Sequence, residues 1–124
     1  MASNKIWNSN PIALTTTLTT NIINPAITSL AGPVGYTQTQ PYIIIRHIRI
    51  VNKTGTAATF SLWLGATGGN AAGTEVVGTA LSVAANSSYD WYGMMRIDSN
   101  QFLVGGAGTA TALTFQAAGE IGIV

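Results

Sequence analysis

Charge is nearly missing from this chain. Of its 124 residues only 7% are Asp, Glu, Lys or Arg, and those few almost cancel, leaving a formal net charge of +1. A soluble globular domain ordinarily carries about 25% charged residues and keeps a net charge away from zero, which holds copies apart. A chain that does neither must fold so that much of its surface is covered, by copies of itself or by a larger assembly. It reads as a structural part and not as a catalyst.

The length suits one domain, with enough residues for a single core that needs no metal or cross-link. The chain has no cysteine, which excludes disulfides, thiol catalysis and cysteine-ligated metals and leaves the redox compartment open. The amino-terminal MASNKIWNSNP carries one lysine and lacks the apolar stretch of a signal peptide, so the expectation is synthesis in a cytoplasm without secretory export. The densest apolar run, residues 42 to 51, is interrupted by Arg46, His47 and Arg49. A bilayer span needs roughly 20 apolar residues, so no membrane role is expected.

The chain divides near Pro41. Residues 1 to 40 hold Pro11, Pro25 and Pro33, a threonine-rich segment at 13–20 and a loop-like stretch at 31–35. Mixed β-branched residues and turn formers resist a helix and favour extended segments joined by turns. Two uses stand side by side: an extended arm that wraps a neighbour, or edge strands of the same domain. Residues 41 to 124 read as a β-sandwich domain. Strands are expected at 42–51, 58–65, 75–83, 88–92, 94–97, 101–104, 109–117 and 120–124, separated by Gly, Asn and Ser turns such as 52–56 and 67–73. Within 58–65, alternation puts Phe60, Leu62 and Leu64 on one face. The expected fold is all-β, a single jelly-roll-like β-sandwich with an extended N-terminal arm.

No catalytic, cofactor-binding or metal-ligating residue can be assigned. His47 is the single histidine and sits in mid-strand, where a packed or interface role outweighs that of a base or ligand. The four acids, Glu75, Asp90, Asp98 and Glu120, are far apart in sequence, and a paired-carboxylate site needs two within roughly 5 to 10 Å. Asp98-Ser99-Asn100 reads as a turn. Gly105-Gly106-Ala107-Gly108 lacks the lysine and helix of a phosphate cradle and also reads as a turn. Asn52-Lys53-Thr54 and Asn86-Ser87-Ser88 match glycosylation acceptors, but without a secretory signal they read as chance matches in a Ser, Thr and Asn-rich chain.

Interface chemistry is easier to find. Arg46, Arg49 and Lys53 gather three of the five basic residues, but strict alternation sends Arg46 and Arg49 to opposite faces, so no basic stripe forms and nucleic acid is not expected as a partner. An arginine among isoleucines suits an ion pair or carbonyl contact with an adjacent subunit. Trp63 opposes the Phe60, Leu62 and Leu64 face, and an outward Trp on a weakly charged surface is a candidate anchor. With Arg46, His47, Arg49 and Trp7 it completes the candidate interface set. Tyr89, Trp91 and Tyr92 form an aromatic cluster that suggests stacking on a sugar, although alternation places Tyr89 and Trp91 on one face and Asp90 and Tyr92 on the other.

Four segments carry a family likeness: Ile48-Arg49-Ile50-Val51-Asn52-Lys53-Thr54; Ala58-Thr59-Phe60-Ser61-Leu62-Trp63-Leu64-Gly65-Ala66; Ala84-Ala85-Asn86-Ser87-Ser88 before Tyr89-Asp90-Trp91; and Gly108-Thr109-Ala110-Thr111-Ala112-Leu113-Thr114-Phe115. Over residues 42 to 124 the chain resembles the small β-sandwich virion proteins of tailed bacteriophages, although Asp98-Ser99-Asn100-Gln101 stands where relatives often carry an acidic Gly-Asp turn. The resemblance implies a non-enzymatic capsid decoration (cement) protein or a minor tail component, without cofactors. Its implied place is the outer surface of the head, after synthesis in the host cytoplasm. Its implied partners are the major capsid protein and copies of itself, a trimer being favoured. The alternative is a tail or fibre module binding host-surface glycan through Tyr89, Trp91 and Tyr92, or another tail protein.

Overall fold

A computed structural model of the chain describes residues 5–23 and 41–123. Nine strands follow in order: β1 (Lys5–Asn8), β2 (Ile12–Ala13), β3 (Asn21–Ile23), β4 (Pro41–Asn52), β5 (Ala58–Gly65), β6 (Glu75–Val83), β7 (Ser87–Ile97), β8 (Phe102–Ala107) and β9 (Leu113–Ile123). Among the described residues there is no helix. One antiparallel sheet has the order β1-β9-β4-β7, with β2 also on β9; the other has the order β3-β8-β5-β6. From β7 onward each strand lies in the sheet opposite its predecessor. With β1 and β2 sharing one edge position, this is the double Greek key of a jelly roll.

The two sheets enclose one core. β4 contributes Ile43, Ile45, Ile48 and Ile50, all at 0% exposure, against Phe60, Leu62 and Leu103 from the other sheet. β-Branched side chains stiffen the extended backbone while filling this space, so local preference and packing agree. At the domain's corner Asn52 is 1% exposed and fully bonded. Its Nδ2 donates to the carbonyls of Thr56 (2.9 Å) and Val83 (3.1 Å), while its Oδ1 accepts from the amide (2.9 Å) and hydroxyl (2.7 Å) of Thr54. This network forms the 52–56 turn and ties it to the end of β6. It also removes Asn52 as a glycan acceptor in the folded protein.

Residues 5–23 lie in the sandwich, as edge strands of both sheets. Trp7, Leu14, Ile22 and Ile23 enter the core. Between β1 and β2, Ser9 is 0% exposed: its amide donates to the Ala117 carbonyl and its hydroxyl accepts from the Ala117 amide, each at 2.8 Å. That stitch carries the ladder on β9 toward Pro11, whose missing N–H restricts it to an edge. The remainder of the first 40 residues, 24–40, lies outside the described residues, as do residues 1–4.

Three expectations about strand limits are corrected. The strands expected at 88–92 and 94–97 are one strand, β7, and β9 runs through Gly119 without a break. Gly105 and Gly106, expected in a turn, are interior to β8. These glycines answer close backbone approach, the usual reason for glycine within a strand. A Cβ on Gly119 would fall on the carbonyl oxygen of Ile44, and one on Gly105 would fall on that of Ser61.

Candidate functional site

The outer face of the β1-β9-β4-β7 sheet gathers most of the charge this chain possesses. β4 creates it through an irregularity. Ile45 pairs with Gly119 and His47 with Ala118, so Arg46 is an extra residue that bulges from the ladder. A bulge resets alternation. Ile43 and Ile45 point inward before it, Ile48 and Ile50 point inward after it, and Arg46, His47 and Arg49 all reach the outer face. The expectation that Arg46 and Arg49 face opposite ways is thereby corrected. The isoleucine spacing carried the signal, because the step from Ile45 to Ile48 is odd where a regular strand requires an even one.

Register then supplies partners. Arg49 stands opposite Asp90 and His47 opposite Tyr92. Arg49 Nε and His47 Nε2 each lie 2.8 Å from the same Asp90 Oδ1, and the His47 ring stacks on Tyr92 with centroids 4.5 Å apart and planes 8° from parallel. Arg46 Nε donates to Glu120 Oε2 at 2.7 Å. At the other end Arg96 donates to Asp98 at 2.7 Å and covers the Tyr42 ring at 4.2 Å. Three of the four acids are thus matched with arginines on or beside one face. Half-exposed pairs of this kind contribute little to stability, because water screens them. Their main consequence is a neutral surface.

Asp90 shows the electrostatics most clearly. The hydrogen bonds from Arg49 first, and from His47 second, hold its carboxyl below the ordinary carboxylate range against the opposing effect of desolvation. The same contact holds the Arg49 guanidinium further into its charged form. Because the folded pKa is depressed, the stability this clamp adds is present above the ordinary carboxylate pKa of about 3.9 and is lost as pH falls through the lowered value. Carbon-detected NMR titration is expected to give Asp90 a midpoint below about 3.9 that moves upward in Arg49→Gln. An unchanged midpoint in that variant would contradict the assignment.

The tryptophans expected at an interface lie elsewhere. Trp7 is 2% exposed and belongs to the core, and its Nε1 has no hydrogen-bond partner. Trp63 does stand on the outer side of β5 beside Val104, yet it is only 6% exposed and Val104 is 0% exposed. The connection between β2 and β3 crosses this side of β8, with the carbonyls of Thr15 and Thr17 over Gly106. A local period cannot register such a crossing. Neither ring offers a free face to a partner.

Tyr89 and Trp91 pack against the core, as alternation requires, while Tyr92 is 71% exposed. The aromatic cluster therefore presents one open ring, not a platform of three. Other apolar side chains that sequence reasoning missed project as well: Met94 at 66% exposure beside Tyr92 and Ile6 at 94% on β1. A cleft between β2 and β3 is lined by Ile12, Leu14, Ile22 and neighbouring Thr and Asn residues, which supply neither acid nor base. Among the described residues no group of three or more His, Cys, Asp or Glu converges to hold a metal ion.

Fold and site together define an all-β jelly-roll sandwich that carries an internally neutralised face studded with exposed apolar side chains. A scan against protein-family models matches none of them, and a search of curated proteins returns no significant match.

Proposed function

We propose that this protein is a non-enzymatic virion structural protein that decorates the outer surface of a phage head in many copies, with the major capsid protein and copies of itself as partners. The observation that carries the reading is the neutralised outer face. Its arginines already hold their carboxylates, so a partner that covers them need not supply counter-charges. Covering a bare charge would cost far more than covering a bonded pair. Between the pairs, Tyr92 and Met94 offer apolar area to bury.

Attachment then rests on distributed apolar and backbone contact. Each site contributes only about 1 to 2 kcal/mol, and many copies make decoration durable. Purified protein mixed with heads assembled without it is expected to co-sediment to saturation, and to remain bound when salt rises from about 0.1 M to about 1 M. Failure to saturate would contradict decoration. Release at the higher salt would contradict a contact in which charge is already neutralised.

A further inference from the structure

Four edges close the sandwich, and three are unfit for further pairing. β1 and β2 form one edge, four and two residues long, with Pro11 between them. β3 has three residues. β6 is longer, but residues 77 to 80 leave the ladder between the pairs Phe60↔Leu81 and Leu62↔Val76, with Val77 at φ 64° and Ala80 at φ 50°. A β-branched residue in the left-handed region is strained. Interruptions of this kind protect an edge against other chains.

β7 differs from these three: it is the longest of the four edges, and none of its residues lies in the left-handed region. It runs 11 residues, and although Gly93 and Met94 together stand opposite Arg46 of β4 in a bulge, its side chains keep alternating through it: Tyr89, Trp91, Met95 and Ile97 inward, Asp90, Tyr92, Met94 and Arg96 outward. Among the described residues no strand pairs with the side of β7 away from β4.

We propose that this edge docks the β7 of a second copy, antiparallel, about a two-fold axis at Gly93. In that register Asp90 stands opposite Arg96 of the second copy, twice by symmetry, and Tyr92 stands opposite Met94. On the inner side Trp91 meets Met95 and Tyr89 meets Ile97, so the two cores run together. Every pair joins residues of the same face, as antiparallel pairing demands. Neighbouring registers fail this test. An axis at Tyr92 sets Asp90 against Met94 and loses both charge pairs, an axis at Met94 sets Asp90 against Asp98, and a shift to a half-integral axis opposes inward with outward side chains. Glycine suits the axis because the Trp91 ring lies beneath it, 2.8 Å from where a Cβ would stand. Tyr92 and Met94, 71% and 66% exposed in the single chain, become covered together. The pairing is isologous and closes at two copies.

The inference goes beyond the decoration reading and does not depend on it, because its test uses the isolated full chain. Sedimentation equilibrium at tens of micromolar is expected to give a dimer, and Met94→Lys is expected to raise the dissociation constant at least tenfold. The thermal unfolding of Met94→Lys should match the unsubstituted chain at a concentration where both are monomeric. The chain has no cysteine, so the register can be read by oxidation. A mixture of Tyr92→Cys and Met94→Cys chains should cross-link, and each variant alone should not. A monomer or a trimer, or Tyr92→Cys cross-linking alone as readily as the mixture does, would overturn the proposal.

Discussion

Trp7→Ala is expected to destabilise the fold by about 3–5 kcal/mol, the range for removing a large aromatic side chain from a core. The residue lies on an edge strand only four residues long, opposite Gly119, yet its ring is 2% exposed within the sandwich. A small domain is stable by only about 5–15 kcal/mol in total, so the variant should lose roughly 10 to 25 °C in Tm. Urea unfolding checks the value. Had Trp7 been an interface anchor, truncation would have left the free chain within about 0.5 kcal/mol of its original stability. Trp7→Phe is expected to cost much less than Trp7→Ala. It keeps most of the ring volume and removes an Nε1 donor that is buried without a partner.

Asn52→Asp is expected to cost about 3–5 kcal/mol at neutral pH, although it changes one atom in shape only slightly. The amide Nδ2 donates to two carbonyls, Thr56 and Val83. A carboxylate can donate to neither. It would place acceptor against acceptor and a charge at a position only 1% exposed. Burial disfavours the charged form, so the loss should shrink as pH falls and the acid protonates. Equilibrium unfolding at about pH 7 and about pH 5 measures both the size and the trend. A loss under about 1 kcal/mol at neutral pH would contradict the bonded corner.

What the sequence disclosed was local. β5 and β6 occupy the residues that alternation and flanking turns assign to them, and Asp98 to Gln101 closes as a turn through the Gln101 amide on the Asp98 carbonyl at 2.9 Å. What it concealed was non-local. Gly119 reads as a strand end because glycine punctuates, whereas its reason is the Ile44 carbonyl on a strand more than 70 residues away in sequence. Trp63 faces outward as its period requires and is nonetheless only 6% exposed.

The candidate site shows the same division. Arg46, His47 and Arg49 were legible as a group, but their common face depends on the bulge between Ile45 and His47. That bulge was written in the phase change of the isoleucines, a local signal that strict period-two reading passes over. The pairing of Asp90 with Arg49, and of Glu120 with Arg46, depends on register between strands 41 and 74 residues apart. No spacing rule reaches that far.

Decoration, as proposed, places many copies of this sandwich on a virion's outer surface. Cryo-electron microscopy of virions with and without the protein tests it most directly. The expected result is difference density repeated over the outer surface of the head, of a size that accepts the jelly-roll sandwich, and lost when the protein is omitted. Density confined to the tail or its fibres, or virions that look the same with and without the protein, would contradict it.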